Sequence, residues 1–280
     1  EVEKILIPDP NQKSLVKVNE HFATHKEKIK IDVIFPVLHG PFGEDGSIQG
    51  LLDLANVPYV GAGVLGSALG MDKIVQKQVF ERMGLPVTEY RAFLFKEYER
   101  SPKMWVREIE KAFSYPCFVK PANLGSSVGI TKAHNRNELE KGINEASEYD
   151  RKILIERGIE NAREIEVSVL GNDDPRASVP GEVIPSNEFY DYDAKYVDGK
   201  SQIIIPAVIP ARITKRVQDI AVKAFKAIDC SGMARVDFLV TRDRFEIYIC
   251  EVNTIPGFTS ISMYPKLWEA SGIPYPKLLD

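Results

Sequence analysis

At 280 residues, with 44% hydrophobic and 27% charged side chains, the chain can hold two or three modest domains with a cleft between lobes. A formal net charge of −4 argues against a general nucleic-acid or anionic-membrane surface, and no apolar run reaches the ~18 residues of a membrane span. Cys117, Cys230 and Cys250 are widely spaced, two of them in apolar strand-like runs, which suggests buried thiols in a reducing, cytoplasmic setting with no Cys–His zinc spacing.

Residues 1–7 read neither as a signal peptide nor as a convincing strand, and both ends of the chain read as cut. Residues 31–38 predict a buried strand, followed by the glycine-rich loop His39-Gly-Pro-Phe-Gly-Glu-Asp-Gly46, a helix over 47–55 and a short strand at 57–60. Strand, loop, helix, strand is a βαβ pattern, part of an α/β domain. A helix follows from about Asp72, with Val75, Val79 and Met83 at i, i+4, i+8 and Gly84 just past its end. Next come strands at 91–95 and 116–120 around a helix at about 103–113, then a glycine loop, a strand at 128–132 and a helix capped by Asn135. Strand 152–156 closes this second unit. The third opens with the alternating strand 164–170 and contains a helix from about Thr214 with Val217, Ile220, Ala221, Phe225 and Ile228 on one face.

Near the C-terminal end, two strand-like stretches, 233–240 and 245–253, carry polar groups where a buried strand should have none. Period two puts Arg235 and Asp237 on one face of the first, and Glu251 and Asn253 on one face of the second. Asp, Glu and Asn oxygens are ligands that a hard cation such as Mg²⁺ accepts, and Mg²⁺ commonly accompanies nucleotide phosphates. The competing reading is an Arg235–Asp237/Glu251 salt-bridge cluster on a solvated sheet face.

Other segments divide in the same way. In Lys120-Pro-Ala-Asn-Leu-Gly-Ser-Ser-Val-Gly129, glycines and paired serines suit phosphates, or the glycines serve a hairpin turn. Strand 152–156 runs into Glu156, at a position where strand edges often read adenine. Glu164 could bridge ribose hydroxyls, or both acids could be simply solvated. Residues 187–196 hold Phe189, Tyr190, Tyr192 and Tyr196 beside Lys195, which suggests a lid over a ligand or an ordered loop. The loop around His39 borders a site, or Glu44 or Asp45 caps the next helix.

Six of these segments together resemble the D-alanine–D-alanine ligase family of the ATP-grasp superfamily. They are 38–50, Met71-Asp-Lys73, Phe118-Val-Lys-Pro121 with Gly125-Ser-Ser-Val-Gly129, 189–196, Ala234-Arg-Val-Asp237 and Glu251-Val-Asn-Thr-Ile-Pro-Gly-Phe-Thr259. They run in the family's order over nearly the whole chain. The resemblance implies a mixed α/β and α+β chain: an ATP-grasp fold holding ATP between two α+β lobes, preceded by a truncated Rossmann-like domain. The expected parts are an N-terminal domain over 1–61, a central lobe over 62–155 and a C-terminal lobe over 156–280.

The chemistry implied is ATP-dependent joining of two D-alanines through an acyl phosphate, for peptidoglycan precursors. By resemblance, Asp237, Glu251 and Asn253 hold two Mg²⁺ ions, with Mn²⁺ as a substitute. Lys73, Lys120, Ser127 and Lys195 contact ATP phosphates, and Glu156 and Glu164 frame adenine and ribose. Arg235, aimed at the reacting carboxyl instead of at its neighbours, forms an oxyanion hole with the Gly257 N–H. Ser262 takes the second substrate's carboxylate, with His39 and Tyr190 also at the amino-acid site. Tyr196 hydrogen-bonds Ser126 to pin the lid, a pattern of the D-alanine acceptor type. The family also implies a preceding strand and a glycine-rich loop with a Glu for the first D-alanine's ammonium, neither of which lies in these residues. Partners expected are D-alanine, ATP and a second copy of the chain, with no nucleic acid or membrane. The alternatives are another ATP-grasp carboxylate–amine ligase, a depsipeptide-forming ligase, or a nucleotide-binding remnant without activity.

Overall fold

A computed structural model describes residues 4–6, 9–11, 14–18, 24–125, 128–184 and 202–280. The chain opens on an antiparallel meander of β1 (Lys4–Leu6), β2 (Ser14–Val18) and β3 (Thr24–Lys30), in register Lys4↔Lys17 and Ser14↔Lys30. Strand β1 corrects the reading that residues 1–7 hold no convincing strand. The buried strand predicted at 31–38 reduces to one parallel bridge, Ile34↔Tyr59. Val33, Val37 and Leu38 are exposed there, and Pro36 has no N–H to continue a ladder. The βαβ connectivity survives in outline, since α1 (Ser47–Leu54) lies between the two bridged segments.

Two helices follow in quick succession, α2 (Val64–Met71) and α3 (Lys73–Arg82). Helix α2 was not foreseen, because Gly66 and Gly70 weaken its pattern. Both glycines are packing requirements: a Cβ on Gly66 would lie 2.7 Å from the Asp229 carbonyl oxygen, and one on Gly70 2.7 Å from Thr254 Cγ2. Asp72 ends α2 and caps α3, its carboxylate accepting from the N–H groups of Ile74 and Val75 at 3.1 Å. The apolar face predicted for α3 is borne out in part: Val79 packs, half-buried, against the C-terminal core. Met83 is exposed, whereas Lys73, Ile74, Gln76, Lys77 and Phe80 face inward. A partly polar inward face is what lining an ionic site requires.

The central lobe is a four-stranded antiparallel sheet in the order β4-β7-β5-β6, from β4 (Tyr90–Leu94), β5 (Cys117–Pro121), β6 (Thr131–Ala133) and β7 (Lys152–Arg157). A short helix α4 (Phe95–Arg100), also unforeseen, leads into α5 (Pro102–Ala112). Helix α6 (Arg136–Ser147) starts at the Asn135 cap as read, with Oδ1 accepting from Glu138 N–H at 3.1 Å. Val106, Ile109, Leu139 and Ile143 pack against Val119, Ile153 and Ile155 of the sheet.

The C-terminal sheet runs β11-β10-β8-β12-β13, with β8 (Ala162–Gly171), β10 (Gly181–Ile184), β11 (Gln202–Ile204), β12 (Gly232–Thr241) and β13 (Ile247–Asn253), and with β9 (Arg176–Ala177) on β8. Along β12, Ala234, Val236, Phe238 and Val240 are fully buried beneath α7 (Ala211–Ala227). Burying each of the three larger side chains contributes roughly 1.5–3 kcal/mol. Alternation therefore turns Arg235 and Asp237 to the other face. A bulge between Asp237 and Phe238 shifts the register from Asp237↔Glu251 to Phe238↔Ile249. Helices α8 (Met263–Ala270) and α9 (Tyr275–Leu279) complete the lobe.

Candidate active site

Between the central and C-terminal sheets lies a cleft of about 700 Å³. Its lining brings together Lys73, Lys120, Gly125, Glu156, Glu164, Arg235, Asp237 and Glu251, with Phe118, Ile130 and Leu239 supplying apolar surface. The sequence argument singled out all eight of those polar and glycine positions. Helix α3 carries Lys73, the central sheet Lys120 and Glu156, the loop between β5 and β6 Gly125, β8 Glu164, and the β12–β13 pair Arg235, Asp237 and Glu251.

The floor is the β12–β13 pair. Asp237 stands opposite Glu251, and Arg235 opposite Asn253. Arg235 grips Asp237 with both prongs, Nε and Nη2 each donating to a carboxylate oxygen at 2.7 Å. Its Nε also lies 3.0 Å from Glu166 Oε2, and Asn253 Nδ2 donates to Asp237 Oδ2 at 3.0 Å. The expectation that Arg235 points away from its neighbours is thus corrected. A guanidinium two residues from a carboxylate on one strand face, in a part-buried setting, takes that carboxylate as partner. Burial disfavours the cation, but Asp237 and Glu166 override it and hold Arg235 firmly protonated. Glu251 adds to the field that keeps Arg235 charged, and it pairs with Lys73 at 3.5 Å.

Lys73 also donates to the Leu124 carbonyl at 2.5 Å, which ties the glycine loop to the start of α3. Within that loop the two readings of its glycines divide. Gly129 has φ 68° and serves the turn, whereas a Cβ on Gly125 would meet open space beside the cleft.

Glu156 is the most enclosed acid of the site, 5% exposed. Its Oε1 lies 2.5 Å from Lys77 Nζ and accepts from the Thr88 hydroxyl at 2.8 Å, while its Oε2 lies 2.5 Å from Lys120 Nζ. Burial alone would push this carboxyl up; Lys120 and Lys77 instead hold it well below the usual carboxylate range. Burial also opposes the charge on Lys120, and Glu156 more than restores it.

Gly257 and Ser262 lie in the turn before α8. Ser262 Oγ accepts from Thr259 N–H at 3.0 Å, and a Cβ on Gly257 would come within 2.6 Å of that Oγ. His39 is exposed in its loop, and of the two acids read as caps only Asp45 reaches the following helix, at Ser47 N–H, while the N-cap position itself is Gly46. Asp45 accepts from Phe42 and Ser47 N–H, and Glu44 accepts from Gly40 N–H at 2.6 Å. Burial raises the Glu44 carboxyl, the Gly40 N–H works against that, and His39 lowers it further while Glu251 pushes it up, so this loop feels the floor of the cleft. Ser126, Ser127, Tyr190, Lys195 and Tyr196 lie outside the described residues.

Sequence reasoning missed Lys77, Thr88 and Glu166. The alternation of Glu164 and Glu166 along β8 was a usable signal. Lys77 stands one helical turn from Lys73 and could have been found by following that face.

The family model for the N-terminal part of D-ala D-ala ligase matches residues 3–62, and the model for its C-terminal part matches 79–280. The chain belongs to the D-alanine–D-alanine ligase family. It is 56% identical to the D-alanine–D-alanine ligase of Heliobacterium modesticaldum over 274 residues, covering 98% of this chain and 74% of that protein. Against the enzyme of Acetivibrio thermocellus it is 57% identical over 261 residues, covering 93% and 69%. Among solved structures, the D-alanine-D-alanine ligase of Coxiella burnetii aligns with a TM-score of 0.79 at 41% identity, covering 92% of this chain and 68% of that one. The VanG D-Ala:D-Ser ligase of Enterococcus faecalis aligns at 0.87 and 38%, covering 100% and 78%. The chain has the ATP-grasp fold, and the two sheets that enclose the cleft belong to its two α+β lobes.

Proposed function

We propose that the chain joins two D-alanines into D-alanyl-D-alanine at the expense of ATP, supplying peptidoglycan synthesis in the cytoplasm. The observation that carries this reading is the convergence of Lys73, Lys120, Arg235, Asp237 and Glu251 on one cleft in a member of this family. ATP lies between the lobes, its phosphates near Lys73 and Lys120, with the purine end of the cleft toward Glu156 and Glu164. A carboxylate oxygen of the first D-alanine attacks the γ-phosphorus, and the bond to ADP breaks, giving an acyl phosphate. The free amine of the second D-alanine then attacks the acyl carbon. The C–O bond to phosphate breaks, and the amine's proton leaves with base or water.

Arg235 and the Gly257 N–H stabilise the oxyanion between those two steps. Glu166 and Asp237 keep the guanidinium protonated and oriented meanwhile. Asp237, Glu251 and Asn253 offer hard oxygen donors on adjacent strands, and Mg²⁺ is usually held by one or two carboxylates together with substrate phosphates. Two Mg²⁺ ions there, with Mn²⁺ substituting, would neutralise phosphate charge during transfer. Ser262, His39 and Tyr190 border the amino-acid sites. Ser127 and Lys195 add phosphate contacts, and Tyr196 with Ser126 closes the lid. The three-part division into 1–61, 62–155 and 156–280 is proposed with its second boundary moved past Arg157, since β7 is continuous to that residue. A homodimer is the proposed assembly. No helix among the described residues is long and apolar enough to cross a membrane.

The likeness to a D-Ala:D-Ser ligase favours one second reading, in which the acceptor is D-serine. ADP release measured with D-alanine alone, and with added D-serine or D-lactate, separates the two. The proposed enzyme turns over with D-alanine alone; turnover that requires D-serine sinks the first reading.

A further inference from the structure

The buried lysine behind the cleft wall has no part in the chemistry above. Lys77 is 2% exposed and does not line the cleft, whereas Glu156, Thr88 and Lys120 do. Its Nζ lies 2.5 Å from Glu156 Oε1 and 3.1 Å from Thr88 Oγ1. The Thr88 hydroxyl, accepting from Lys77, donates to the same Glu156 oxygen at 2.8 Å. On the cleft side, Lys120 Nζ reaches the other oxygen at 2.5 Å. One carboxylate is therefore gripped by two ammonium groups, one at the cleft lining and one buried behind it.

Burying an ammonium is costly, and neutralising Glu156 takes only one. Lys120 and Glu156 alone would sum to zero charge and show a phosphate a closed ion pair. With Lys77 the cluster carries one net positive charge, and the exposed member is Lys120. We propose that Lys77 is a positioning residue acting through Glu156: it takes up that carboxylate from behind, which leaves the Lys120 charge available to a nucleoside di- or triphosphate. The inference rests on ATP occupying this cleft and is indifferent to which amino acids are joined.

The separating quantity is the preference for ATP over adenosine, the ratio of their dissociation constants by titration calorimetry on the full chain. Any effect of Glu156 on the purine enters both affinities and cancels. Lys77→Met should cut this ratio about tenfold, the effect of removing one nearby charge. A double variant, Lys77→Met with Glu156→Gln, removes both charges, leaves Lys120 unpaired and positive, and should restore the ratio to within about threefold of wild type. A role in packing alone predicts the opposite order, because the double variant loses more contacts. Should Lys77→Met fail to fold, the double variant decides by itself: a ratio near wild type supports the inference, and one about tenfold lower overturns it. An unchanged ratio in Lys77→Met also overturns it. A wild-type chain with no preference for ATP over adenosine overturns the ATP reading itself, and the inference falls with it.

Discussion

Glu156→Gln tests how tightly the ionic wall of the cleft is tied to folding. The carboxylate is 5% exposed and lies 2.5 Å from each of two ammonium groups. Removing one partner of a buried pair costs about 3–5 kcal/mol, because the charge left behind is uncompensated. Here two lysines are left, with partial relief if one gives up its proton, so the expected loss is about 4 kcal/mol at pH 7. For a chain of this size that is a fall in Tm of about 10 °C. The pH dependence follows from the depressed carboxyl. Its stabilisation is complete above the unfolded-state pKa, near 4.3, and is lost as pH falls toward the lower folded value. Urea unfolding of both proteins should show the gap at pH 7, narrowed by about 1 kcal/mol at pH 3.5. Equal stability at pH 7, or a gap that does not change with pH, would refute the charge argument. The double variant with Lys77→Met leaves only Lys120, on the cleft side, without its carboxylate, and should regain part of the loss.

Other expectations follow from the same geometry. Arg235→Lys cannot reproduce the two-pronged grip on Asp237, so kcat should fall about 10²–10³-fold while ATP affinity changes little; a loss confined to KM for ATP would contradict the oxyanion role. Asp237→Asn should raise the Mg²⁺ concentration needed for half-maximal rate at least about tenfold without changing adenosine affinity. Burial pushes the Cys117 and Cys230 thiols up to about 12, so neither should react with a thiol reagent at pH 8 until urea unfolds the chain. Rapid labelling of the native protein at either position would count against the packing described.

Most of the C-terminal lobe was legible because its strands obey period two and its helix α7 has a continuous apolar face. The same alternation that buries Val236 and Phe238 turns Arg235 and Asp237 to the cleft, so the floor of the site could be read from spacing. What could not be read was which charges pair. Arg235 has carboxylates on its own strand and on β8, and only the sheet order reveals Glu166. Helix α3 was legible only in part: Val79 of the predicted face packs half-buried against the core, but Met83 is exposed and the buried face carries Lys73 and Lys77. Buried lysines look like surface residues in a sequence, and only their partners distinguish them. The N-terminal strands β1 to β3 were missed because they are short and β3 (Thr24–Lys30) is mostly charged, with Ile29 its one aliphatic residue, while the predicted 31–38 strand pairs only at the Ile34–Tyr59 bridge among the described residues.

The central claim is tested most directly by incubating the full chain with ATP, Mg²⁺ and D-alanine labelled with ¹⁸O in its carboxylate, followed by mass analysis of the products. An acyl-phosphate route predicts D-alanyl-D-alanine, ADP and phosphate in equal amounts, with one ¹⁸O transferred to each phosphate. Unlabelled phosphate alongside the dipeptide, or ATP turnover by the folded protein with no dipeptide, would contradict it.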